Sequence, residues 1–337
     1  MFVSMVLSVL SLQTLALMCN QSTSPLINYT ISIYVNGQKH GIEKSNCVIS
    51  IPFETNYVHI SEIQAAKLSR RLFNISHPVE YLAVIDSPSV TDLGQDFLHD
   101  QDVSNLMILT TSIKTIKAHT FTNDKLKTVT LTENPTEELE NEAFFNMSGL
   151  HDVDLSYNNL SVFNTETFSM VPLLENLRLS NNKITHLGKR SFSFVQKDHF
   201  SVSLGMNRIA FIDEDVFEGL NRSSFVIDLS SNLLTSFSVN IFRTHHFQEV
   251  DLRSNKLKSL SGDFTAHNFK IELLQIRNNF DSKNLKKFAV WALLNKIEVD
   301  FLNFSKSGQS GCFQQNFLMV FMLFMFRCLG LLLHTNI

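Results

Sequence analysis

Residues 152–163, DVDLSYNNLSVF, decide the fold, because close copies of this stretch recur along the chain. Residues 176–187 read NLRLSNNKITHL, residues 226–237 read VIDLSSNLLTSF, and residues 249–260 read EVDLRSNKLKSL. All four share the order apolar-x-apolar-x-x-Asn-x-apolar-x-x-apolar. The first apolar position occurs in nine copies, which we number one to nine: Leu82, Leu106, Val129, Val153, Leu177, Val202, Ile227, Val250 and Leu274. Steps of 23 to 25 residues predict a solenoid in which each copy forms one coil.

Each position of the repeat has a physical role. The apolar-x-apolar pair predicts a short strand with alternate side chains inward, and successive strands stack as a parallel ladder. The Asn position lies where the chain leaves the strand, and its amide can both donate to and accept from buried backbone groups. It is filled by Asn134, Asn158, Asn182, Asn207, Asn232, Asn255 and Asn279. Copies one and two have Ser87 and Thr111 instead, which predicts a weaker ladder at the N-terminal end.

Phenylalanine is abundant, with 29 residues against one Trp and five Tyr. Seven of them lie fifteen residues after the first apolar position of a copy: Phe97, Phe121, Phe144, Phe168, Phe192, Phe217 and Phe242. Copy eight departs from the rule, with Phe264 one place early. This spacing predicts a column of stacked rings under the convex side of the solenoid, rather than an aromatic ligand site.

The predicted fold class is an α/β solenoid, a horseshoe of about nine 24-residue coils with N- and C-terminal caps. Residues 28–51 alternate apolar and polar around Asn36-Gly37, which predicts a hairpin at the N-terminal end. After the last strand, Leu285, Phe288 and Ala292 give a predicted cap helix its apolar face. The predicted organisation is a signal peptide (1–16), an N-terminal cap (17–78), repeats (79–270), the last repeat and C-terminal cap (271–304), a linker (305–312) and a hydrophobic tail (313–337).

The nine copies resemble leucine-rich repeats. The chain between its two ends is similar to arthropod extracellular leucine-rich-repeat proteins, including Toll-like ectodomains and insect leucine-rich immune proteins. The family's C-terminal cap begins Asn-x-Phe/Trp-x-Cys-x-x-Leu, and this start is matched by Asn279, Phe280, Asp281, Ser282 and Leu285. Ser282 stands where the family often has Cys, so no disulfide is expected there. The resemblance implies a horseshoe fold, whereas function varies widely among adhesion, guidance, matrix and immune proteins of this kind.

The N-terminus predicts entry into the secretory pathway. Residues 1–18 are nearly free of charge, and their apolar core is too short to span a bilayer. Small residues favour signal-peptidase cleavage after Ala16, with cleavage after Cys19 as the alternative. If the chain is cut after Ala16, Cys19 survives and is expected to form a disulfide with Cys47.

A second apolar run, residues 317–333, lies close to the C-terminus and contains Arg327. One interpretation is a cleaved attachment signal for a glycolipid (GPI) anchor, with Ser310-Gly311-Cys312 as the small-residue triplet. The other is a retained transmembrane helix, although the run is short and has no basic flank. Both interpretations predict a membrane-anchored protein at the cell surface, and free secretion is the third alternative.

Asparagine sequons agree with this route. The predicted glycosylation sites are Asn28, Asn74, Asn146, Asn159, Asn221 and Asn303, and Asn20 forms a seventh sequon. Asn134 is excluded because Pro follows it. None of the sequons falls on the predicted concave face, so glycans would leave that face open.

Composition and motifs argue against several classes of protein. With 28 basic and 32 acidic residues the net charge is −4, which disfavours a nucleic-acid partner. The sequence contains no Cys-x-x-Cys, His-Glu-x-x-His, Gly-x-Ser-x-Gly or phosphate loop. His151, Asp152 and Asp154 could bind a cation, but a solvated strand face is the favoured interpretation. We therefore expect no enzymatic activity, no cofactor and no metal.

Residues beside the inward strand positions are predicted to face the concave surface and bind the ligand. Those with the chemistry of a protein interface are Tyr157, Arg178, Phe200, Met206, Phe225, Asp228, Asp251 and Arg253. The first hypothesis is a receptor or co-receptor for a protein or microbial ligand, with innate immunity as one setting. The alternative is a cell-adhesion molecule acting by homophilic or heterophilic contact. A homodimer is compatible with both hypotheses.

Overall fold

The computed structural model describes residues 29–35, 38–45, 49–51, 55–69, 73–75, 77–220, 224–243, 245–265, 269–280 and 282–300. The strands are β1 (Tyr29–Val35), β2 (Gln38–Ser45), β3 (Ile49–Ser50), β4 (Tyr57–Ser61), β5 (Lys67–Leu68), β6 (Phe73–Asn74), β7 (Val79–Ile85), β8 (Asp92–Leu93), β9 (Val103–Ile108), β10 (Thr115–Ile116), β11 (Thr128–Thr130), β12 (Glu138–Leu139), β13 (Asp152–Asp154), β14 (Asn176–Arg178), β15 (His186–Leu187), β16 (His199–Ser203), β17 (Phe211–Ile212), β18 (Ser224–Asp228), β19 (His246–Asp251), β20 (Ile271–Gln275) and β21 (Glu298–Val299). Helix α1 spans Ser282–Leu294, and two 3-10 helices span Thr165–Phe168 and Val239–Arg243.

Thirteen strands form one sheet in the order β2-β1-β4-β7-β9-β11-β13-β14-β16-β18-β19-β20-β21. Strand β1 pairs antiparallel with β2 and β4, and every later pair in this sheet is parallel. The first apolar residues of consecutive copies lie opposite one another, as Val153 does with Leu177. The prediction of a solenoid with a period of about 24 residues is confirmed, because each coil contributes one strand to the ladder.

The parallel ladder begins one coil earlier than the sequence pattern predicts. Strand β4 lies within residues 17–78, which we expected to form the N-terminal cap, and it places Val58 opposite Leu82. The pattern fails there because Ile63 occupies the Asn position of the repeat. Phe73, fifteen residues after Val58, was the signal that could have found this coil.

The asparagine column connects each coil to the one before it. The Asn182 amide nitrogen donates to the carbonyl oxygens of Leu155, in the preceding coil, at 2.9 Å and of Leu179, in its own coil, at 3.0 Å. Its side-chain oxygen accepts the backbone N–H of Leu160 at 3.0 Å. The same three kinds of hydrogen bond recur at Asn158, Asn207, Asn232 and Asn255. Buried backbone groups at the turn are thereby satisfied without water.

The last position of this column differs from the sequence prediction. Asn279 is exposed, and Asn278 is the buried residue whose amide donates to the Leu252 carbonyl at 2.7 Å. The strand of copy nine is thus followed by the Asn one residue sooner than in the other copies. Because of this shift, the side-chain oxygen of Asn278 is buried and accepts no hydrogen bond within the described residues.

The phenylalanine column forms a buried aromatic core under the convex side. Phe144 stacks on Phe121 with ring centroids 5.1 Å apart and on Phe168 at 5.6 Å. Further along, Phe192 stacks on Phe217 at 5.1 Å. All seven rings of the predicted column are buried: Phe97, Phe121, Phe144, Phe168, Phe192, Phe217 and Phe242. Phe97 meets Phe121 edge-on, with ring centroids 6.4 Å apart. Rings from other positions link the remaining members: Phe194 contacts Phe168 and Phe200, which contacts Phe192, and Phe247 contacts both Phe217 and Phe242.

Helix α1 covers the C-terminal end of the aromatic core. Phe288, Trp291 and Ala292 are buried on its inner side. The Trp291 ring lies 5.0 Å from Phe269 and 5.8 Å from Phe264, both edge-on. Phe264, the residue that departs from the column spacing, therefore packs against the cap helix.

One histidine of the convex side couples folding to pH. His245 packs against the rings of Phe217 and Phe225 at 6.2 and 6.5 Å, and its burial lowers the pKa of the imidazole below 6.5. The unfolded chain then binds this proton more readily than the folded one, so stability falls as the pH drops below about 6.5. We expect the His245→Phe variant to lose less stability than the wild type between about pH 7.5 and about pH 5 in urea titrations. An equal pH dependence of stability in the His245→Phe variant and the wild type would contradict this role.

Candidate recognition surface

The concave face carries the side chains that point outward from the strands. Alternation along each strand buries one set of residues and exposes the other, as Val129 and its neighbours Thr128 and Thr130 show. A depression of about 280 Å³ lies on this face across copies one to five. It is lined by Tyr81, Asn105, Thr128, Val129, Thr130, Asp152, Asp154 and Arg178.

The depression has one aromatic wall and one charged wall. Tyr81 is 42 % exposed, and its ring lies 5.9 Å from that of Tyr57. On the other side, an Arg178 guanidinium nitrogen lies 4.0 Å from a carboxylate oxygen of Asp152. The hydroxyl of Thr128 donates to the Asn105 side chain at 2.8 Å across the floor. An aromatic surface beside ionised groups suits contact with a protein, which offers both apolar and charged side chains.

Two of the predicted ligand contacts are wrong. Phe200 and Phe225 are buried, at 2 % and 0 % exposure, and their rings lie 6.1 Å apart. Phe200 precedes the inward residue Val202 by two positions, as Phe225 precedes Ile227, so strand alternation turns both rings into the core. They join the aromatic core described above and are unavailable to a ligand.

Asp251 is a further correction, because only 6 % of it is exposed. Arg253 folds over it, with the guanidinium Nε 2.9 Å from each carboxylate oxygen. This hydrogen bonding to Asp251 raises the pKa of Arg253. The Arg253 side chain is thus engaged by Asp251. Arg178 is exposed and Asp228 half-buried, and a ligand contact at either residue stays a prediction.

Tyr157 and Met206 are exposed but lie beside the concave face rather than on it. Each occupies the turn immediately before a column asparagine and has a positive φ, 57° and 54° respectively. Both side chains are 59 % exposed. They belong to the flank of the solenoid, where the chain runs from the concave to the convex side.

The rim of the concave face holds an ion-pair cluster. Glu175 lies 2.8 Å from the Lys197 ammonium and 3.8 Å from a ring nitrogen of His151. Hydrogen bonding to Lys197 is the main reason that the pKa of the Glu175 carboxyl is lowered. In the described part of the chain, no group of three or more His, Cys, Asp or Glu side chains is arranged to hold a metal ion.

Several predictions concern residues outside the described ranges. These are the signal peptide (1–16), the tail (313–337), Cys19, Cys47, Asn28, Asn221 and Asn303. Among the sequons that are described, Asn146 is exposed, Asn159 is half-buried and Asn74 lies in β6. Within residues 29–300, as far as they are described, no helix is both long and apolar enough to cross a bilayer.

Comparison with known proteins identifies the repeat. The family model described as "Leucine rich repeat" matches residues 124–184 and 148–197. Among curated proteins, Tsukushi of Gallus gallus is 32 % identical over 113 residues, which are 33 % of this chain and 30 % of the relative. "Leucine-rich repeats and immunoglobulin-like domains protein 1" of Homo sapiens is 32 % identical over 89 residues, 26 % of this chain and 8 % of the relative. The chain thus spans less than a third of each relative's length.

Solved structures agree on the fold. A chain of the Toll–Spatzle complex of Drosophila is 20 % identical, with a TM-score of 0.54, covering 63 % of this chain and 28 % of the other. A chain of the mouse RP105/MD-1 complex is 14 % identical, with a TM-score of 0.52, and the match covers 73 % of this chain and 50 % of the other. At these identities the likeness concerns architecture. The matched repeat model over residues 124–197, the 24-residue ladder and the asparagine column together show that this chain has the fold of a leucine-rich-repeat solenoid.

Proposed function

We propose that this chain is a cell-surface recognition protein, a receptor or co-receptor, whose concave face binds a protein ligand. The depression between Tyr81 and Arg178 is the observation that carries the proposal, because it combines an exposed aromatic ring, hydroxyls and charges on a rigid sheet. A parallel ladder holds these side chains in fixed register, which lowers the entropy lost on binding.

The solved structures support a protein as the ligand. Two chains of this fold were solved in assemblies described as the Toll–Spatzle complex and the RP105/MD-1 complex. Neither partner is implied for this chain. That a ladder of this kind is compatible with protein binding supports the proposal, and the depression is the position that we propose for such binding here.

Charge reversal on the concave face tests the proposal. The full chain, displayed on cells, is screened against a panel of soluble ectodomains that includes its own. We expect the double variant Asp154→Lys, Arg178→Glu to weaken the binding found by at least about tenfold, since close charge pairs can contribute over 1.4 kcal/mol. The matched control Glu214→Lys, an exposed turn position outside the thirteen-stranded sheet, should bind as the wild type.

The outcomes of this screen separate the two functional hypotheses. Binding to other ectodomains that is lost only in the concave variant supports a receptor. Binding mainly to its own ectodomain would replace the receptor by the adhesion hypothesis. Binding that tolerates the concave variant would contradict the concave face as the recognition surface.

Attachment to the membrane through the C-terminal tail is part of the proposal, with two chemistries open. If residues 313–337 are exchanged for a glycolipid, phosphatidylinositol-specific phospholipase C should release the protein from intact cells. If the tail is retained, the protein stays bound and peptides of 313–337 appear by mass spectrometry. Protein secreted without either anchor would contradict membrane attachment. The same digest shows whether Cys19 and Cys47 are joined, as expected when cleavage follows Ala16.

A further inference from the structure

We propose that the flank following the strands of copies five to eight is a second docking surface, and that it binds an acidic protein partner. This surface, here called the basic flank, consists of Lys183, Met206, Arg208, Phe211, Leu233 and Lys256. It is distinct from the depression on the concave face.

The basic flank carries charge of one sign. The turn segments that build it are residues 180–186, 205–211, 230–236 and 253–259, and none of them contains Asp or Glu. Arg208 and Lys256 are exposed and Lys183 is half-exposed, and none of the three has an ion-pair partner among the described residues. Of the strands beside them, β18 and β19 hold the acidic residues Asp228 and Glu249, whereas β14 holds Arg178 and β16 holds neither Asp nor Glu. A surface whose charges have one sign selects partners by the sign of their own charge.

Apolar side chains lie among these cations. Met206 and Phe211 are each 59 % exposed, and Leu233 is 37 % exposed. Tyr157 and Val162, at 59 % and 60 %, extend the apolar surface toward copy four, beside the sequon at Asn159. Large apolar side chains grouped on a surface mark an interaction site, and Met, aromatic residues and Arg are enriched in protein interfaces.

The combination of cations and exposed apolar side chains favours an acidic protein over other anionic partners. A sulfated sugar or a phosphate backbone would neutralise Lys183 and Arg208 but would leave Met206 and Leu233 uncovered. A polypeptide carrying Asp or Glu together with aromatic or aliphatic side chains would satisfy both sets. The flank of a second copy would bring cations against cations, which opposes symmetric pairing of this surface.

The backbone under the basic flank is rigid. The N–H of Lys183 donates to Leu160 at 2.8 Å, and the N–H groups of Arg208, Leu233 and Lys256 donate in the same way, each at 2.9 Å, to the coil before. Phe211 pairs with His186 in the short parallel ladder of β17 and β15. At about 4.8 Å per coil, Lys183 and Lys256 lie roughly 15 Å apart, the reach of four or five extended residues.

A display library of random peptides, selected on the full chain, tests the assignment. We expect enrichment of peptides that combine Asp or Glu with Phe, Trp or Leu. Their affinity should fall at least about tenfold in the variant Lys183→Glu, Arg208→Glu, Lys256→Glu, and independently in Met206→Ser, Phe211→Ser, Leu233→Ser. The concave variant Asp154→Lys, Arg178→Glu should bind them as the wild type, so failure here is distinguishable from failure of the proposed function. Melting curves confirm that each variant is folded.

Three results would overturn the proposal. The first is enriched peptides that bind the flank variants and the wild type equally well. The second is binding of heparin or of phosphatidylserine vesicles that outcompetes the peptides and is insensitive to the apolar triple variant. The third is self-association of the chain that the flank variants abolish, since a second copy would then be the occupant.

Discussion

The Phe144→Ala variant should lose about 3 to 5 kcal/mol of its free energy of unfolding, the cost typical of emptying an aromatic site in a core. The Phe144 side chain is fully buried and stacked between Phe121 and Phe168, so three consecutive coils share its contacts. Because each coil buries its core only against its neighbours, the cavity weakens two inter-coil interfaces at once. Urea or thermal unfolding followed by circular dichroism measures the loss.

An exposed ring provides the matched control for this experiment. Phe211→Ala removes the same atoms from a side chain that is 59 % exposed, and it should change stability by less than about 0.5 kcal/mol. If the free energy of unfolding falls by similar amounts in Phe144→Ala and Phe211→Ala, the aromatic column does not stabilise the solenoid as described.

The Asn182→Ala variant should lose roughly 1 to 3 kcal/mol of its free energy of unfolding, because it leaves a buried backbone N–H without an acceptor and takes one donor from each of two buried carbonyls. The N–H of Leu160 loses its acceptor, whereas the carbonyl oxygens of Leu155 and Leu179 each lose one donor and keep another, from Asn158 and Asn207 respectively. The Asn182→Asp variant keeps the acceptor but places a carboxylate against two carbonyls, so it should be at least as unstable.

Asn279→Ala is the control for the asparagine column. Asn279 fits the repeat spacing but is exposed, so its replacement should change stability by less than about 0.5 kcal/mol. A loss as large as that of Asn182→Ala would mean that sequence position, rather than the observed hydrogen bonds, decides the role. An unchanged melting temperature in Asn182→Ala would contradict the column altogether.

Periodicity predicted most of the fold because the same few contacts are repeated in every coil. The strands from Leu82 to Leu274 and the phenylalanine column follow from spacing alone, since stacking requires equivalent residues at equal intervals. Predictions failed where one coil departs from the period. The earliest parallel coil was missed because Ile63 occupies its Asn position. In the last coil the turn is one residue shorter, so Asn278 rather than Asn279 joins the asparagine column.

The candidate surfaces were harder to predict, because exposure depends on how far a strand extends. The strands of copies four and five have three residues, whereas those of copies six and seven begin two residues earlier and have five. Phe200 and Phe225 lie in these added residues, where strand alternation points them into the core. Tyr157 and Met206 were expected on the sheet, yet the left-handed turn rotates them onto the flank. Counting two positions back from Val202 would have corrected the first error. The second depends on backbone geometry that spacing does not encode.

The asparagine column has a direction, since each side-chain oxygen accepts an N–H from the coil before it. The amide hydrogens of Leu160, Ile184, Ile209 and Leu234 are therefore protected by the coil that follows them. When one coil unfolds, the amide that its asparagine had accepted loses protection from hydrogen–deuterium exchange. That amide lies about 22 residues toward the N-terminus, in the preceding coil, which is itself still folded. Exchange at the Leu234 amide would then report the unfolding of the coil that holds Asn255.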